Sequence, residues 1–402
     1  MRKRRVKVTG IGPVTPAGIG VTDFWHGIRL GKSYVRKFDR LGLEGIPMVA
    51  ATVAEGVYKQ SMSKIVLPRE TARHTGFAVL GASLALADAG LVSEELEEKY
   101  CAVVAGASLL DFGGIGKAFN NVWKRGANAA QPRVVYTSTL TSIAEEIASV
   151  LEVNSKPLAV QTSCCAGLDA IGQASRLVES GEVDLAICGG TEAPLHAFPL
   201  LELRAAGLTP STNENPELIA RPFDLWRTTG VVSEGACFFV LEPEESPRKG
   251  YAWLSGYSFS ADSAGLLCSG LLEAASQVLA NAKLRVAELE CLSAWGPGHR
   301  LVDKAECVAM ERLLKGLYGS VPAFSIKGAI GSPLGAAPAI QVAAALLGMR
   351  HATVIGTVNW ENADPECCLS LSRSNRCIEF SNVLVNAHGV GGVNSSMLFE
   401  RC

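Results

Sequence analysis

Short apolar runs recur along the chain, and Ala- and Leu-rich stretches separate them. The first half contains "VKVTGIG", "YCAVVAGAS", "PLAVQTS" and "VDLAICGG". These runs predict strands buried on both faces, because polar residues scarcely alternate with apolar ones. Between them, "RHTGFAVLGASLALADAG" and "CAGLDAIGQASRLVESG" predict helices that end at glycine. The second half repeats this rhythm, which predicts an α/β chain of stacked layers with helices covering mostly parallel sheet.

The chain has 402 residues, enough for one large domain or two fused domains with a substantial buried core. No short-period repeat, low-complexity tract or obvious linker divides it. We therefore expect two halves, residues 1–250 and 251–402, fused into one unit.

Composition excludes several classes of protein. The formal net charge is −2, so no basic surface for nucleic acid is expected. No run of about 18 apolar residues predicts a membrane span, and "LGAAPAIQVAAALLGM", which carries Gln341, predicts a buried helix. The 12 cysteines are scattered and lie mostly in apolar runs, which favours reduced thiols in the cytoplasm over disulfides or zinc.

The sequence predicts no bound cofactor. The six histidines never fall at metal-ligand spacing, so no metal site is expected. The glycine cluster "TGIGPVTPAGIG" is not a dinucleotide motif, because Thr15 occupies the third glycine position and Pro16 interrupts the helix start.

Two adjacent cysteines, Cys164 and Cys165, stand between a predicted strand and a predicted helix. The backbone N–H groups at a helix N-terminus favour an anion, so they are expected to lower the pKa of the Cys164 thiol and to offer an oxyanion site. Gly167, one turn later, would let another segment approach closely. The alternative is that both cysteines are merely packed in the core.

The segment "VQTSCCAGLDAIG" resembles the T-x-C-x-x-G nucleophile segment of the β-ketoacyl-acyl-carrier-protein synthases. "VTGIGPVTPAG", "ICGGTEA" and "ARPFDLWRTTGVVSEGACFFVLE" are similar to further segments of that family, so the resemblance spans essentially the whole chain. It implies a thiolase fold, with duplicated βαβαβαββ halves in five layers (αβαβα). It also implies that Cys164 is the nucleophile that accepts the acyl group and that Cys165 fills space.

Both histidines that this family uses for condensation are missing from their expected positions. "AWGPGHRLVDKAE" matches at Asp303 and Glu306, but Trp295 occupies the first histidine position. "SIKGAIGSPLGAA" matches at Lys327, which the resemblance implies is catalytic, but Ser332 replaces the second histidine. An indole accepts no proton and a serine hydroxyl is a far weaker base than imidazole, so decarboxylative condensation by the usual route is expected to be impaired.

The glycine-rich segment "NAHGVGGVN" offers a replacement base. His388 stands where the family has an aromatic residue, and we expect it to serve as the displaced base. Val390 replaces the gating aromatic residue, and its backbone N–H is expected to form the oxyanion hole with that of Cys164. Alternatively His388 packs away from the thiol. His299, four residues after Trp295, is expected on a loop and is a weaker candidate.

Three functions remain open. The first is an acyltransferase, acylated on Cys164 from an acyl carrier protein or coenzyme A thioester in fatty acid or polyketide-type biosynthesis. The second is a non-condensing partner subunit that resembles chain-length factors and pairs with an intact synthase. The third is a thioester hydrolase. The resemblance implies an acyl carrier protein as partner, and a homodimer or a heterodimer formed through the strand near residues 156–161.

Overall fold

The computed structural model describes residues 4–39, 46–367 and 369–402. Its strands are β1 (Val6–Thr15), β2 (Gly18–Ile19), β3 (Val35–Lys37), β4 (Val49–Ala51), β5 (Cys101–Gly106), β6 (Ser155–Val160), β7 (Leu185–Glu192), β8 (Gly235–Pro243), β9 (Ala252–Ala261), β10 (Leu292–Ser293), β11 (Ala323–Phe324), β12 (Thr353–Val354), β13 (Arg376–Cys377), β14 (Asn382–Gly389) and β15 (Val393–Arg401). Its α-helices are α1 (Val21–Arg29), α2 (Glu55–Ser61), α3 (Arg73–Ala89), α4 (Ser93–Glu97), α5 (Phe112–Arg125), α6 (Arg133–Thr137), α7 (Thr141–Val150), α8 (Ala166–Ser180), α9 (Ala197–Ala205), α10 (Ser269–Ala282), α11 (Arg300–Leu314), α12 (Lys327–Ile330) and α13 (Ala337–Arg350).

The main sheet consists of two halves with the same topology. Its order is β11-β10-β14-β15-β9-β1-β8-β7-β5-β6, with β2 beside β1. In the N-terminal half, β5 pairs in parallel with β6 and β7, and β8 pairs antiparallel with β7 and β1. In the C-terminal half, β10 pairs in parallel with β11 and β14, and β15 pairs antiparallel with β14 and β9. This repetition confirms the predicted duplication.

The expectation of mostly parallel sheet is wrong. Among the described strands, each half has two parallel pairs and two antiparallel pairs, the short antiparallel β1–β2 pair adds to the first half, and the antiparallel β1–β9 pairing over Val6–Val8 joins the halves. Both faces of the sheet are covered, so its strands carry continuous apolar runs whichever way they pair. The sequence pattern therefore could not distinguish parallel from antiparallel pairing.

Helices form three layers around the two half-sheets. Helices α3 and α7 cover the outer face of the N-terminal half-sheet, and α10 and α11 form the layer outside the C-terminal half-sheet. Helices α8 and α13 lie between the half-sheets, which completes the predicted five layers. Residues 337–349 of α13 are all buried, as its sequence predicts. Among the described residues, none of the helices combines the length and apolar character that crossing a membrane requires.

The central helix α8 packs against β5 at a position where only glycine fits. A Cβ atom on Gly106 would lie 2.2 Å from the carbonyl oxygen of Ala166, the first residue of α8. The Ala166 carbonyl group could make room for a side chain only if the start of α8 moved. This contact therefore fixes the position of α8 relative to β5, and with it the position of the turn that precedes the helix.

We predict that Gly106→Ala lowers the free energy of unfolding by about 1–3 kcal/mol, because the added methyl forces strand and helix apart. Gly116→Ala is the matched control, since Gly116 is exposed on α5 and nothing lies within 4 Å of an added Cβ. The control is expected to raise stability by about 0.5–1 kcal/mol through helix propensity. Urea unfolding measures both changes, and equal effects of the two substitutions would contradict the packing argument.

Candidate active site

Cys164 lies on a tight turn between β6 and α8. The strand ends at Val160 and the helix begins at Ala166. Ser163, immediately before the cysteine, adopts a left-handed conformation with φ 52°, which costs a non-glycine residue free energy that the surroundings must offset. The Thr162 hydroxyl donates to the carboxylate of Asp169 on α8, which ties the turn to the helix. The turn therefore holds the cysteine in one place.

A cavity of about 480 Å³ opens beside the Cys164 thiol. Its wall is largely apolar and includes Leu109, Leu203, Leu208, Val232, Val302 and Leu334. The polar groups on the wall are few, which is typical of a pocket that takes an apolar ligand and orients it with a small number of hydrogen bonds.

Burial raises the pKa of the Cys164 thiol above its ordinary value. The Val390 N–H, the Ser163 hydroxyl and the Lys327 charge each lower that pKa, and the Glu192 carboxylate raises it, but burial prevails. The expectation that the pKa of this thiol is lowered is therefore wrong, because burial raises it by more than the neighbouring donors and charge lower it. The thiol is protonated at neutral pH, and a nucleophilic role requires a group that accepts its proton.

The structure places His388 on the wall of the same cavity as Cys164. His388 is buried near the end of β14, and it faces Asn394 of β15 across the hairpin. Its Nδ1 lies 2.8 Å from Oδ1 of Asn394. The imidazole is therefore held through one nitrogen, on the hairpin that borders the nucleophile turn.

The β14–β15 turn comes close to the nucleophile turn. A Cβ atom on Gly389 would lie 3.2 Å from the backbone nitrogen of Cys164, so a side chain there would force the two turns apart by a few tenths of an ångström. Val390 follows and also lines the cavity, and its backbone N–H acts on the Cys164 sulfur. The oxyanion hole formed by the N–H groups of Cys164 and Val390 stays a prediction, and the approach of the two turns is compatible with it.

Trp295 and Ser332 line this cavity, whereas Lys327 lies behind its wall. The Lys327 ammonium donates to the Trp295 carbonyl oxygen and to Oε1 of Gln341 at 2.7 Å. It also lies 3.6 Å from the centroid of the Trp295 ring. Burial lowers the pKa of Lys327 to about 7. Among the described residues that line the cavity Lys327 is absent, so it reaches the thiol through its charge alone.

Glu192, at the end of β7, is a site residue that sequence reasoning missed. Its buried carboxylate accepts hydrogen bonds from the hydroxyl and N–H of Ser108 and from the N–H groups of Leu109 and Gly335. Ser108 and Leu109 line the cavity, so Glu192 shapes one wall from behind. Burial raises the pKa of Glu192 to about 7. The signal in the sequence was a lone acidic residue closing a buried strand.

His299 also lines the cavity, at the N-terminus of α11. Its Nδ1 accepts a hydrogen bond from the Val302 N–H at 3.5 Å, and burial lowers its pKa. The ring therefore caps the helix while it borders the cavity. Within the described part of the chain, no three His, Cys, Asp or Glu side chains are grouped so that they could hold a metal ion.

Comparison with known proteins identifies the family of the chain. The sequence model of the beta-ketoacyl synthase N-terminal domain matches residues 3–246, and that of the C-terminal domain matches residues 251–361. A putative polyketide beta-ketoacyl synthase 1 from Streptomyces cyaneus is 30% identical over 412 residues, covering 98% of this chain and 97% of the relative.

Two solved structures share the whole fold. The ishigamide ketosynthase/chain length factor superposes with a TM-score of 0.90 at 26% identity, and each chain is covered completely. A type II polyketide ketosynthase, solved with its acyl-carrier protein and bound to a hexaketide, superposes with a TM-score of 0.89 at 25% identity, again over both whole chains. These likenesses confirm the thiolase fold that the sequence motifs imply.

We predict that the Cys164 thiol reacts with iodoacetamide only at higher pH than an ordinary cysteine does, because its pKa is raised. Peptide-resolved mass spectrometry across a pH series measures this reaction, with the exposed Cys377 as an internal reference. Half-maximal alkylation of Cys164 at a pH below the ordinary thiol range would contradict the prediction.

Proposed function

Since the chain belongs to the β-ketoacyl synthase family, we propose that Cys164 accepts an acyl group from a thioester of acyl carrier protein or coenzyme A. The reaction serves fatty acid or polyketide-type biosynthesis. The observation that carries this proposal is the position of Cys164, which lies in a largely apolar cavity of about 480 Å³ with His388 on the same wall.

The acylation step follows from these groups. The Cys164 sulfur attacks the thioester carbonyl while its proton passes to Nε2 of His388. The carbonyl oxygen becomes an oxyanion, for which the N–H groups of Cys164 and Val390 are the donors. The carbon–sulfur bond to the carrier then breaks, and the imidazolium returns the proton to the departing thiolate. The products are acyl-Cys164 and free carrier thiol, and His388 ends neutral.

Carbon–carbon bond formation by the usual route is impaired in this proposal. Trp295 and Ser332 border the cavity where members of the family have imidazoles, and neither side chain stabilises the enolate that decarboxylation forms. The Trp295 ring also lies against the Lys327 ammonium. The acceptor of the acyl group is therefore a malonyl-derived carbanion only at low rate, or else another nucleophile.

The second candidate is a partner subunit that does not condense. The lack of both imidazoles favours it, as does the likeness to a structure named as a ketosynthase/chain length factor. The retained thiol and the adjoining His388 count against it, since a subunit that only shapes its partner has no need of either. A thioester hydrolase, in which water removes the acyl group, is the third candidate.

We propose an acyl carrier protein as the donor of the acyl group, because a similar ketosynthase was solved in complex with one. We also propose a dimer through β6. Among the described strands this one pairs only with β5, so none of them occupies its other edge, and its residues are mostly half-buried in the single chain. An open strand edge pairs readily with another chain. The partner is either a second copy or an intact ketosynthase.

We predict that the purified protein gains the mass of one acyl group when it is incubated alone with an acyl-acyl carrier protein, and that Cys164→Ala abolishes the gain. Cys165→Ala is the matched control, because Cys165 is fully buried and its sulfur donates to the Val393 carbonyl oxygen. This variant is expected to keep the adduct. Intact-protein mass spectrometry gives both results.

The outcomes separate the candidates. An adduct that forms only after an intact ketosynthase is added favours the partner subunit. An adduct that forms and then decays in water without an acceptor favours the hydrolase. An adduct that survives in Cys164→Ala contradicts the proposal.

A second prediction concerns decarboxylation. The double variant Trp295→His, Ser332→His is expected to release carbon dioxide from malonyl-acyl carrier protein at least about tenfold faster than the natural chain, because two imidazoles then face the enolate. Trp295→Phe is the control, since it removes the indole without supplying a base. A natural chain that already decarboxylates as fast as the double variant would contradict the impairment.

A further inference from the structure

The hairpin that carries His388 also carries the residue that holds it. His388 and Asn394 are paired in the register of β14 and β15, on either side of the glycine-rich turn. Asn394 is fully buried, and its Oδ1 lies 2.8 Å from Nδ1 of His388. Which of the two atoms carries the hydrogen follows from the other contacts of the asparagine.

The amide of Asn394 can point only one way. Its Nδ2 lies 2.8 Å from Oδ1 of Asp262 and 3.0 Å from the carbonyl oxygen of Gly392. A carboxylate and a carbonyl only accept hydrogen bonds, so the atom facing both must be the NH₂ group, which fills both of its donor positions. The remaining Oδ1 has no hydrogen, and the hydrogen bond to His388 must come from the imidazole.

Asp262 is fixed as firmly as the asparagine. Its Oδ1 also accepts a hydrogen bond from the Gly270 N–H at 2.9 Å, and its Oδ2 accepts one from the Cys268 N–H at 3.0 Å. Its own N–H donates to the Gly392 carbonyl oxygen at 2.7 Å. Both carboxylate oxygens therefore face donors only. The segment that enters α10 thus orients Asp262, which orients Asn394 and through it His388.

We propose that Asp262 and Asn394 are positioning residues that hold neutral His388 in the form with hydrogen on Nδ1, which leaves the lone pair of Nε2 free to take the proton of Cys164. This inference rests on the proposed function and names the group that orients its base. Among the described residues, none forms a hydrogen bond with Nε2 of His388, and the ring borders the cavity that holds the thiol. The proton moves from Sγ of Cys164 to Nε2, and the bond from Nδ1–H to Asn394 persists in the imidazolium.

The second imidazole on the cavity has the opposite arrangement. His299 accepts from the Val302 N–H through Nδ1, so its neutral ring carries hydrogen on Nε2. It can donate a hydrogen bond into the cavity but cannot accept a proton there without losing the helix cap. The geometry thus assigns the role of base to His388, and His299 supplies an internal reference of the opposite form.

The tautomer is measured directly in the whole protein. Long-range proton–nitrogen correlation spectra of histidine-labelled protein at neutral pH distinguish the two neutral forms, and His388→Gln identifies the signals. We expect hydrogen on Nδ1 in the natural chain. We expect Asn394→Ala to shift the population toward hydrogen on Nε2. In the double variant Asp262→Asn, Asn394→Asp the amide and the carboxylate exchange places, so an oxygen still faces Nδ1 of His388, and we expect this variant to retain the natural form. Hydrogen on Nε2 of His388 in the natural chain would overturn the inference, whatever the acylation result.

The consequence for the thiol is measured without any acyl donor. The rate at which iodoacetamide alkylates Cys164 is expected to fall at least about tenfold in Asn394→Ala and to recover in the double variant Asp262→Asn, Asn394→Asp, because the base is lost and then restored. Circular dichroism and urea unfolding identify a variant that fails to fold, and Asp262→Asn then replaces it in the same assay. A changed tautomer with an unchanged alkylation rate would overturn the positioning role. If Asn394→Ala changes both the tautomer and the alkylation rate but the natural chain forms no acyl adduct, the proposed function alone is rejected.

Discussion

The close approach of backbone segments in the central layer determines where every group of the site lies. A Cβ atom on Gly167 would lie 2.7 Å from the Gly335 carbonyl oxygen, and one on Gly190 would lie 2.8 Å from the Gly167 Cα. Glycine at these positions lets α8, the end of β7 and the segment before α13 meet without side chains between them. The two halves of the duplicated fold therefore meet beside the start of α8. The turn that carries Cys164 in the first half and the hairpin that carries His388 in the second half therefore line one cavity.

Burial in this layer sets the chemistry as well as the geometry. The thiol of Cys164 loses its water and its pKa rises, so the protein must supply a proton acceptor rather than rely on a free thiolate. His388 fits that requirement, since Asn394 engages one nitrogen, no described residue forms a hydrogen bond with the other, and the ring borders the cavity. Trp295, in contrast, fills a position of an imidazole with an apolar ring. In the proposed function, the site keeps the groups for acylation while it lacks those for the usual condensation.

Sequence motifs predicted the duplicated fold and the residues that meet at the cavity. Cys164, Trp295, Ser332 and His388 are far apart in the chain, yet all of them line one cavity. The sense of strand pairing was not predictable, because strands covered on both faces look alike in either sense. Neither was the direction of the thiol pKa shift, which depends on how distant loops exclude water. The role of Asn394 was not predictable either, since the partner that orients it lies 132 residues away.

The central claim is that an acyl group on Cys164 is held by two backbone N–H groups and faced by the imidazole of His388. A crystal structure of the protein with this cysteine acylated tests the claim most directly. The account predicts the thioester oxygen at about 3 Å from the nitrogens of Cys164 and Val390, with Nε2 of His388 directed at the thioester sulfur. An oxygen directed at Trp295 or at solvent, or an imidazole turned away from the sulfur, would contradict it.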